Sequence, residues 1–173
     1  MKTAIIYSSV DGQTKKICHA LKNILVSAEH VVDLFQIQDL TESITMYDKI
    51  VIASCIRYGK HNEHIIDFIQ NNSQVLNNKK TAFISVNLVA RKTEKNTADT
   101  NPYVIKFLDS ITWKPQLTGV FAGRLNYKLY SFGDRLMIKL IMLITKGPIG
   151  SKTDIEYTDW NEVTKFGNKL SDM

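Results

Sequence analysis

The run Lys49-Ile50-Val51-Ile52-Ala53-Ser54-Cys55 is apolar without alternation. A strand wet on one side alternates apolar and polar residues, so an unbroken run needs cover on both faces. That requirement selects the centre of a parallel sheet with helices above and below it. The rest of the chain supplies matching parts. Ile5-Ile6-Tyr7-Ser8, His30-Val31-Val32-Asp33-Leu34-Phe35, residues 81–88 and residues 117–123 read as four further strands. Between them lie helical patterns: Ile17, Leu21, Ile24 and Leu25 on one face; Ile65, Ile66, Ile69 and Leu76 in residues 63–76; and a helix opened by Pro102. Asp159 and Glu162 form a capping pair before a last helix with Trp160, Val163, Phe166 and Leu170 inward. Alternating strands and helices predict an α/β fold: one domain over residues 1–173 with a doubly wound, five-stranded parallel sheet.

One stretch breaks the alternation. Residues 124–150 are inserted in or after the fifth strand, where a loop of ~2–6 residues is usual. The centre, Asp134-Arg135-Leu136-Met137-Ile138-Lys139-Leu140-Ile141-Met142-Leu143-Ile144-Thr145-Lys146, is apolar around most of a helix. Arg135, Lys139 and Lys146 fall on one narrow ridge at ~100° per residue. Such a helix is roughly 20 Å long at ~1.5 Å per residue, too short for a ~30 Å hydrocarbon core. It suits an interfacial position, with the apolar side in lipid, the cations at the headgroups, and Tyr127, Tyr130 and Phe132 beside them. Packing on the sheet, or a homo-oligomer interface, is the other reading.

The formal charge of +5 points to an acidic partner. Arg124, Lys128, Arg135, Lys139 and Lys146 oppose only Asp134, so the insert holds most of it. These cations alternate with aliphatics instead of forming a polar basic face, which argues against nucleic acid. Two cysteines, Cys18 and Cys55, are too few for a disulfide framework and suit a reducing compartment. The first apolar run is too short for a signal-peptide core.

In a doubly wound sheet, loops at the carboxyl ends of the strands meet in one crevice. The first is Ser8-Ser9-Val10-Asp11-Gly12-Gln13-Thr14, a hydroxyl-rich turn opening a helix. Free N–H groups at a helix start, with the hydroxyls of Ser8, Ser9 and Thr14, make a phosphate cradle, and Gly12 permits a positive φ. The second, Ser54-Cys55-Ile56-Arg57-Tyr58-Gly59, offers an aromatic ring to stack on a planar ligand. The third, Asn87-Leu88-Val89-Ala90-Arg91-Lys92, offers amides and two cations. No catalytic triad or paired carboxylates appear among them, which assigns the chemistry to a bound cofactor. Cys55 reads as a small buried residue. His61 and His64 share a metal-ligand spacing but lack partners; they read as a solvated helix start, and no metal is expected.

The turn at residues 8–14 resembles the phosphate loop of the flavodoxins. Ser85-Val86-Asn87-Leu88-Val89-Ala90-Arg91-Lys92, Asp134-Arg135-Leu136-Met137-Ile138-Lys139-Leu140-Ile141-Met142 and Tyr157-Thr158-Asp159-Trp160 resemble one branch, the bacterial menaquinone-dependent protoporphyrinogen oxidases. The resemblance implies a flavodoxin-like fold and an FMN site formed by residues 8–14, 54–56, 58, 59 and 85–90. It also implies oxidation of protoporphyrinogen IX with a membrane quinone as acceptor, in haem biosynthesis, peripherally on the cytoplasmic face of the inner membrane. Val10 departs from the polar or basic side chain expected of the pattern. Arg57, Arg91 and Lys92 take electrostatic or substrate-binding roles: stabilising a reduced flavin, or pairing with propionates. Arg124, Tyr127, Arg135, Lys139 and Lys146 are the expected membrane or substrate contacts. A flavodoxin-type electron carrier and an FMN quinone reductase are the alternatives; carriers usually present an acidic face, and no G-x-G-x-x-G fingerprint is present.

Overall fold

Strand β3 (Lys49–Arg57) is the middle of a parallel sheet ordered β2-β1-β3-β5-β6. The elements run β1 (Lys2–Ser8), α1 (Gln13–Ser27), β2 (Val31–Gln36), β3, β4 (Lys60–His61), α2 (Glu63–Asn71), α3 (Ser73–Asn77), β5 (Lys80–Val86) and α4 (Pro102–Asp109). They continue as β6 (Leu117–Phe121), β7 (Arg124–Asn126), α5 (Phe132–Ile144), β8 (Asp154–Glu156) and α6 (Trp160–Asp172). This computed structural model describes residues 1–144, 147–150 and 152–173.

The apolar run of β3 is divided between two cores because successive strand residues point to opposite faces. Val51 and Ala53 join Ile5, Tyr7 and Ile84 under α1 and α6, against Ile17, Leu21, Phe166 and Leu170. Ile50 and Ile52 join Ala4, Ile6 and Phe83 on the other face, against Ile65, Ile69, Phe107 and Trp113. Ile5 pairs with Val51 and Val51 with Ala82, so same-face residues lie abreast. This is the expected five-stranded doubly wound sheet.

Several local expectations shift. Residues 63–76 do not form one helix: the chain breaks at Asn72, whose amide donates to the Phe68 carbonyl and ends α2. Strand β3 runs on to Arg57, and Arg57-Tyr58-Gly59-Lys60 is a tight hairpin to β4 instead of an open loop. Both central residues have positive φ, 51° at Tyr58 and 77° at Gly59, as a two-residue hairpin of the I′ kind requires. His61 therefore sits in a strand and is 5% exposed, not solvated. Its ring lies against Phe83 and Phe107, and its Nε2 is 2.9 Å from the Ser85 hydroxyl. His64 is exposed at the start of α2, so the two share no site.

The extra segment follows β6. It leaves through β7 and returns through β8, which pair antiparallel with Leu125 opposite Ile155. Between them, Leu125, Tyr127, Tyr130 and Met142 make a small third core, with Leu88, Ile138 and Tyr157 packed on it. No helix among the described residues is long and apolar enough to cross a membrane.

Candidate functional site

The loops after β1, β3 and β5 and the inner face of α5 enclose a cavity of about 310 Å³ at the carboxyl edge of the sheet. The turn after β1 contributes Ser9, Val10, Asp11, Gln13 and Thr14 to its wall. Gly12 precedes α1 with φ 86° and, as the N-cap residue, has no side chain to cap the helix. Its first amides are thus available to an anion, aided by the helix dipole. The Ser9 hydroxyl accepts from the Lys15 amide, and Thr14 is buried. The Gln13 carboxamide donates to Glu156 and Thr158, which leaves its backbone N–H for the turn and ties α1 to the end of the inserted segment.

From the second loop, Cys55, Ile56, Arg57, Tyr58 and Gly59 line the cavity. Cys55 is half-buried and its thiol is pushed up by burial, which fits a packing role over a reactive one. Tyr58 is 66% exposed at the hairpin tip, where its ring can cover a planar ligand. From the third loop come Val86, Asn87, Leu88, Val89 and Arg91. The Asn87 carboxamide holds this loop in shape: it donates to the Ser85 hydroxyl and accepts from the Ala90 amide and from Asn101.

Some expected residues stand behind the lining. Ser8, Ser54, Ser85 and Ala90 are buried supports; the Ser54 hydroxyl accepts from the Asn62 amide to fix the hairpin. Lys92 is outside the wall, its amide closing a short turn onto the Val89 carbonyl. Val10 is more than half exposed at the cavity edge.

The electrostatics differ from a simple cationic pocket. The Arg57 guanidinium donates through Nη1 to Asp11 (3.1 Å) and through Nη2 to Asp134 (2.5 Å). Asp11 therefore faces the cavity. Burial pulls the Arg57 pKa down, but the two carboxylates outweigh it and raise the value. Burial likewise pushes the Asp11 carboxyl up, partly offset by Arg57. Asp134 is held below the usual carboxylate range by hydrogen bonds from Tyr58 and Ser131 and by Arg57. Two carboxylates on one guanidinium leave an excess of negative charge, so the positive charge expected of Arg57 is already balanced. Arg91 is then the cation of the third loop in the wall, its Nη1 donating to the Leu88 carbonyl.

Asp134 was not among the expected site residues. A signal existed: it is the lone acid of a basic segment, and Ser131-Phe132-Gly133-Asp134 has the spacing of a capping box. Met137, Ile138, Ile141 and Met142 of α5, with Tyr103 and Tyr130, complete the wall.

The inserted helix is turned differently from its expected pose. Its basic ridge is half-buried: Arg135 donates to the Tyr130 carbonyl, and the Lys139 ammonium lies 5.8 Å from the Tyr127 ring centre. Tyr127 is fully buried, donating its hydroxyl to the Pro148 carbonyl, and Tyr130 is buried too, so neither ring reaches a headgroup layer. Arg124 lines the cavity but is forked onto Asp154 at 2.7 Å twice. Outward instead point Phe132 (85% exposed), Leu136 (65%), Leu140 (57%) and Leu143 (63%). Lys146 lies outside the described residues. Among these residues no group of three or more His, Cys, Asp or Glu is disposed to hold a metal.

The chain is similar to several known proteins. A flavodoxin domain family model matches residues 4–152. The fold is that of solved flavodoxins: Megasphaera elsdenii flavodoxin (TM-score 0.60, 10% identity, 99% of each chain) and Bacillus cereus flavodoxin 1 (TM-score 0.56, 15% identity, 99% and 98%). Over the full length the chain is 38% identical to protoporphyrinogen IX dehydrogenase [quinone] of Escherichia coli K12, covering 100% of this chain and 96% of that protein. It is 40% identical to the enzyme of the same name from Leishmania major, covering 98% and 74%. The chain therefore belongs to the flavodoxin-domain family and, within it, to the family of these protoporphyrinogen IX dehydrogenases.

Proposed function

We propose that this chain oxidises protoporphyrinogen IX to protoporphyrin IX with FMN as its cofactor and a quinone as acceptor, working at a bilayer surface. The observation that carries the reading is the double use of α5. Its inner face walls the cavity beside the phosphate turn, while its outer face presents an apolar row. A lipophilic substrate and a lipophilic acceptor both call for such an arrangement, with the redox site next to a surface that seats in lipid.

FMN suits the residues present. The first amides of α1 and the hydroxyls of Ser9 and Thr14 would receive its phosphate, and Ile56, Tyr58, Leu88 and Val89 would flank its flat ring. When bound, FMN supplies two-electron redox chemistry, so removing six electrons from the porphyrinogen takes three rounds, each closed by a quinone. The chain's own residues bind and orient. Arg91 brings positive charge to the third loop, and Asn87 fixes the backbone that would pack against the ring. Exclusion of water falls to Met137, Ile138 and Ile141. The exposed row of α5 holds the protein peripherally on the cytoplasmic side of the inner membrane.

The cofactor assignment has a direct test in Gly12→Val. Open space surrounds the position of a Cβ there, so the effect is on the backbone alone. A β-branched residue at φ 86° is strained by ~1–3 kcal/mol, and relaxing the turn pulls its amides away from the phosphate. FMN fluorescence-quenching titrations should show about 10- to 100-fold weaker binding, at ~1.4 kcal/mol per tenfold. Equal affinities would place the phosphate elsewhere.

A further inference from the structure

Asp134 is 8% exposed at the cavity wall and is held by groups from two elements. Its Oδ2 accepts from Arg57 (2.5 Å) and from the Ser131 hydroxyl (2.8 Å), and its Oδ1 accepts from the Tyr58 hydroxyl (2.6 Å). Arg57 and Tyr58 belong to the β3–β4 hairpin, whereas Ser131 and Asp134 belong to the start of α5. These bonds join the hairpin to the inserted helix across the cavity. Asp11 takes the other arm of Arg57 from the phosphate turn. One guanidinium thus carries two carboxylates, one more than its charge requires.

An arginine fork at the wall of a ligand cavity is a natural receptor for a carboxylate. Here each arm is filled by the chain itself. The two fillers are not equivalent: Asp11 lies in the turn that frames the phosphate site, while Asp134 rides on a helix tied to the body by β7 and β8. The cavity, at about 310 Å³, is at the small end of ligand pockets. A flavin and a four-ring macrocycle together need more room, and the wall able to give it is α5.

We propose that Arg57 recognises a carboxylate of the substrate and that Asp134 is its built-in competitor, giving up the Nη2 arm and moving with α5 when an anionic macrocycle enters. The proposal rests on the substrate class read above and adds the residue that selects for it. It separates the two half-reactions chemically. A porphyrinogen carries propionates that can take the arm of Arg57; a quinone carries none and leaves Asp134 in place. Asp134 is thus a specificity-determining residue, and Tyr58 and Ser131 position it.

The test uses FMN-loaded protein and two probes that need no turnover, protoporphyrin IX and its dimethyl ester, with binding followed by porphyrin fluorescence. The ester has the same macrocycle without the charges. Asp134→Asn keeps an oxygen for Tyr58 but removes the competing charge. It should bind the free acid about fivefold to tenfold more tightly, with affinity for the ester unchanged. Arg57→Gln should erase the preference of wild type for acid over ester; Arg57→Lys, which keeps the charge but not the fork, should keep a reduced one. Tyr58→Phe, which loosens the hold on Asp134 without removing its charge, should raise the acid-to-ester ratio, but by less than Asp134→Asn does. Equal gains for acid and ester in Asp134→Asn would mean a loosened helix and overturn the proposal, as would no gain in either. Failure of wild type to bind either porphyrin would instead overturn the substrate reading, and the proposal with it.

Discussion

Leu136→Glu/Leu140→Glu protein should lose its hold on lipid vesicles and, with it, turnover that depends on a vesicle-embedded quinone. Neither leucine belongs to the cavity wall, and both are more than half exposed. Fully burying a leucine is worth ~1.5–3 kcal/mol, so the exposed share of the pair offers roughly 2–4 kcal/mol to a bilayer. At ~1.4 kcal/mol per tenfold, losing it weakens vesicle binding by about 30- to 1000-fold. Two carboxylates on the same face add repulsion from anionic lipid. Flotation with anionic vesicles measures the first effect and quinone-linked porphyrin formation the second. FMN content and turnover with a water-soluble quinone should stay near wild type, because the cavity wall is untouched. Unchanged flotation would mean that the outer face of α5 meets something other than lipid.

His61 should make the protein acid-sensitive well above the carboxylate range. Burial among Phe83, Phe107 and Ser85 pushes its pKa down to about 4, from 6.5 for a free side chain. The folded chain therefore refuses a proton that the unfolded chain takes up below 6.5. Between pH 6.5 and 4 the unfolded state binds more protons, so stability rises with pH across that window. The contribution is fully present above pH 6.5 and is lost as pH falls toward 4, a swing of about 3 kcal/mol at ~1.36 kcal/mol per unit. Urea midpoints taken across this range should fall steeply for wild type. They should fall less for His61→Gln, which cannot titrate, although that variant starts lower for want of the ring. Parallel pH profiles would show that His61 is not the group responsible.

The sheet was legible in the sequence because each of its strands carries its own pattern, and residues 49–55 leave little choice but burial on both faces. The turn at residues 8–14 was legible too, as a local motif of hydroxyls, glycine and helix start. Contacts between distant residues were not. Arg57 reaches Asp11 over 46 positions and Asp134 over 77, and no local periodicity records such a meeting. Strand β4 has only two residues, too few for a pattern, so nothing local in the sequence separates His61 from His64 or links it to Phe83. The helix of the inserted segment was clear but its rotation was not. A ridge of cations suggests an outward face, yet the Tyr130 carbonyl and the Tyr127 ring give Arg135 and Lys139 an inward place, and the aliphatics turn outward. The apolar row that faces away from the molecule is what remains for a membrane.

One measurement bears most directly on the reading as a whole: protoporphyrinogen added without oxygen to FMN-loaded protein, with flavin absorbance and porphyrin fluorescence followed together. The flavin should bleach in one two-electron round and stop, and porphyrin fluorescence, which requires all six electrons to leave, should rise once a quinone is added and turnover resumes. A flavin that stays oxidised in the presence of substrate would contradict the assignment and leave the chain an electron carrier on a flavodoxin fold.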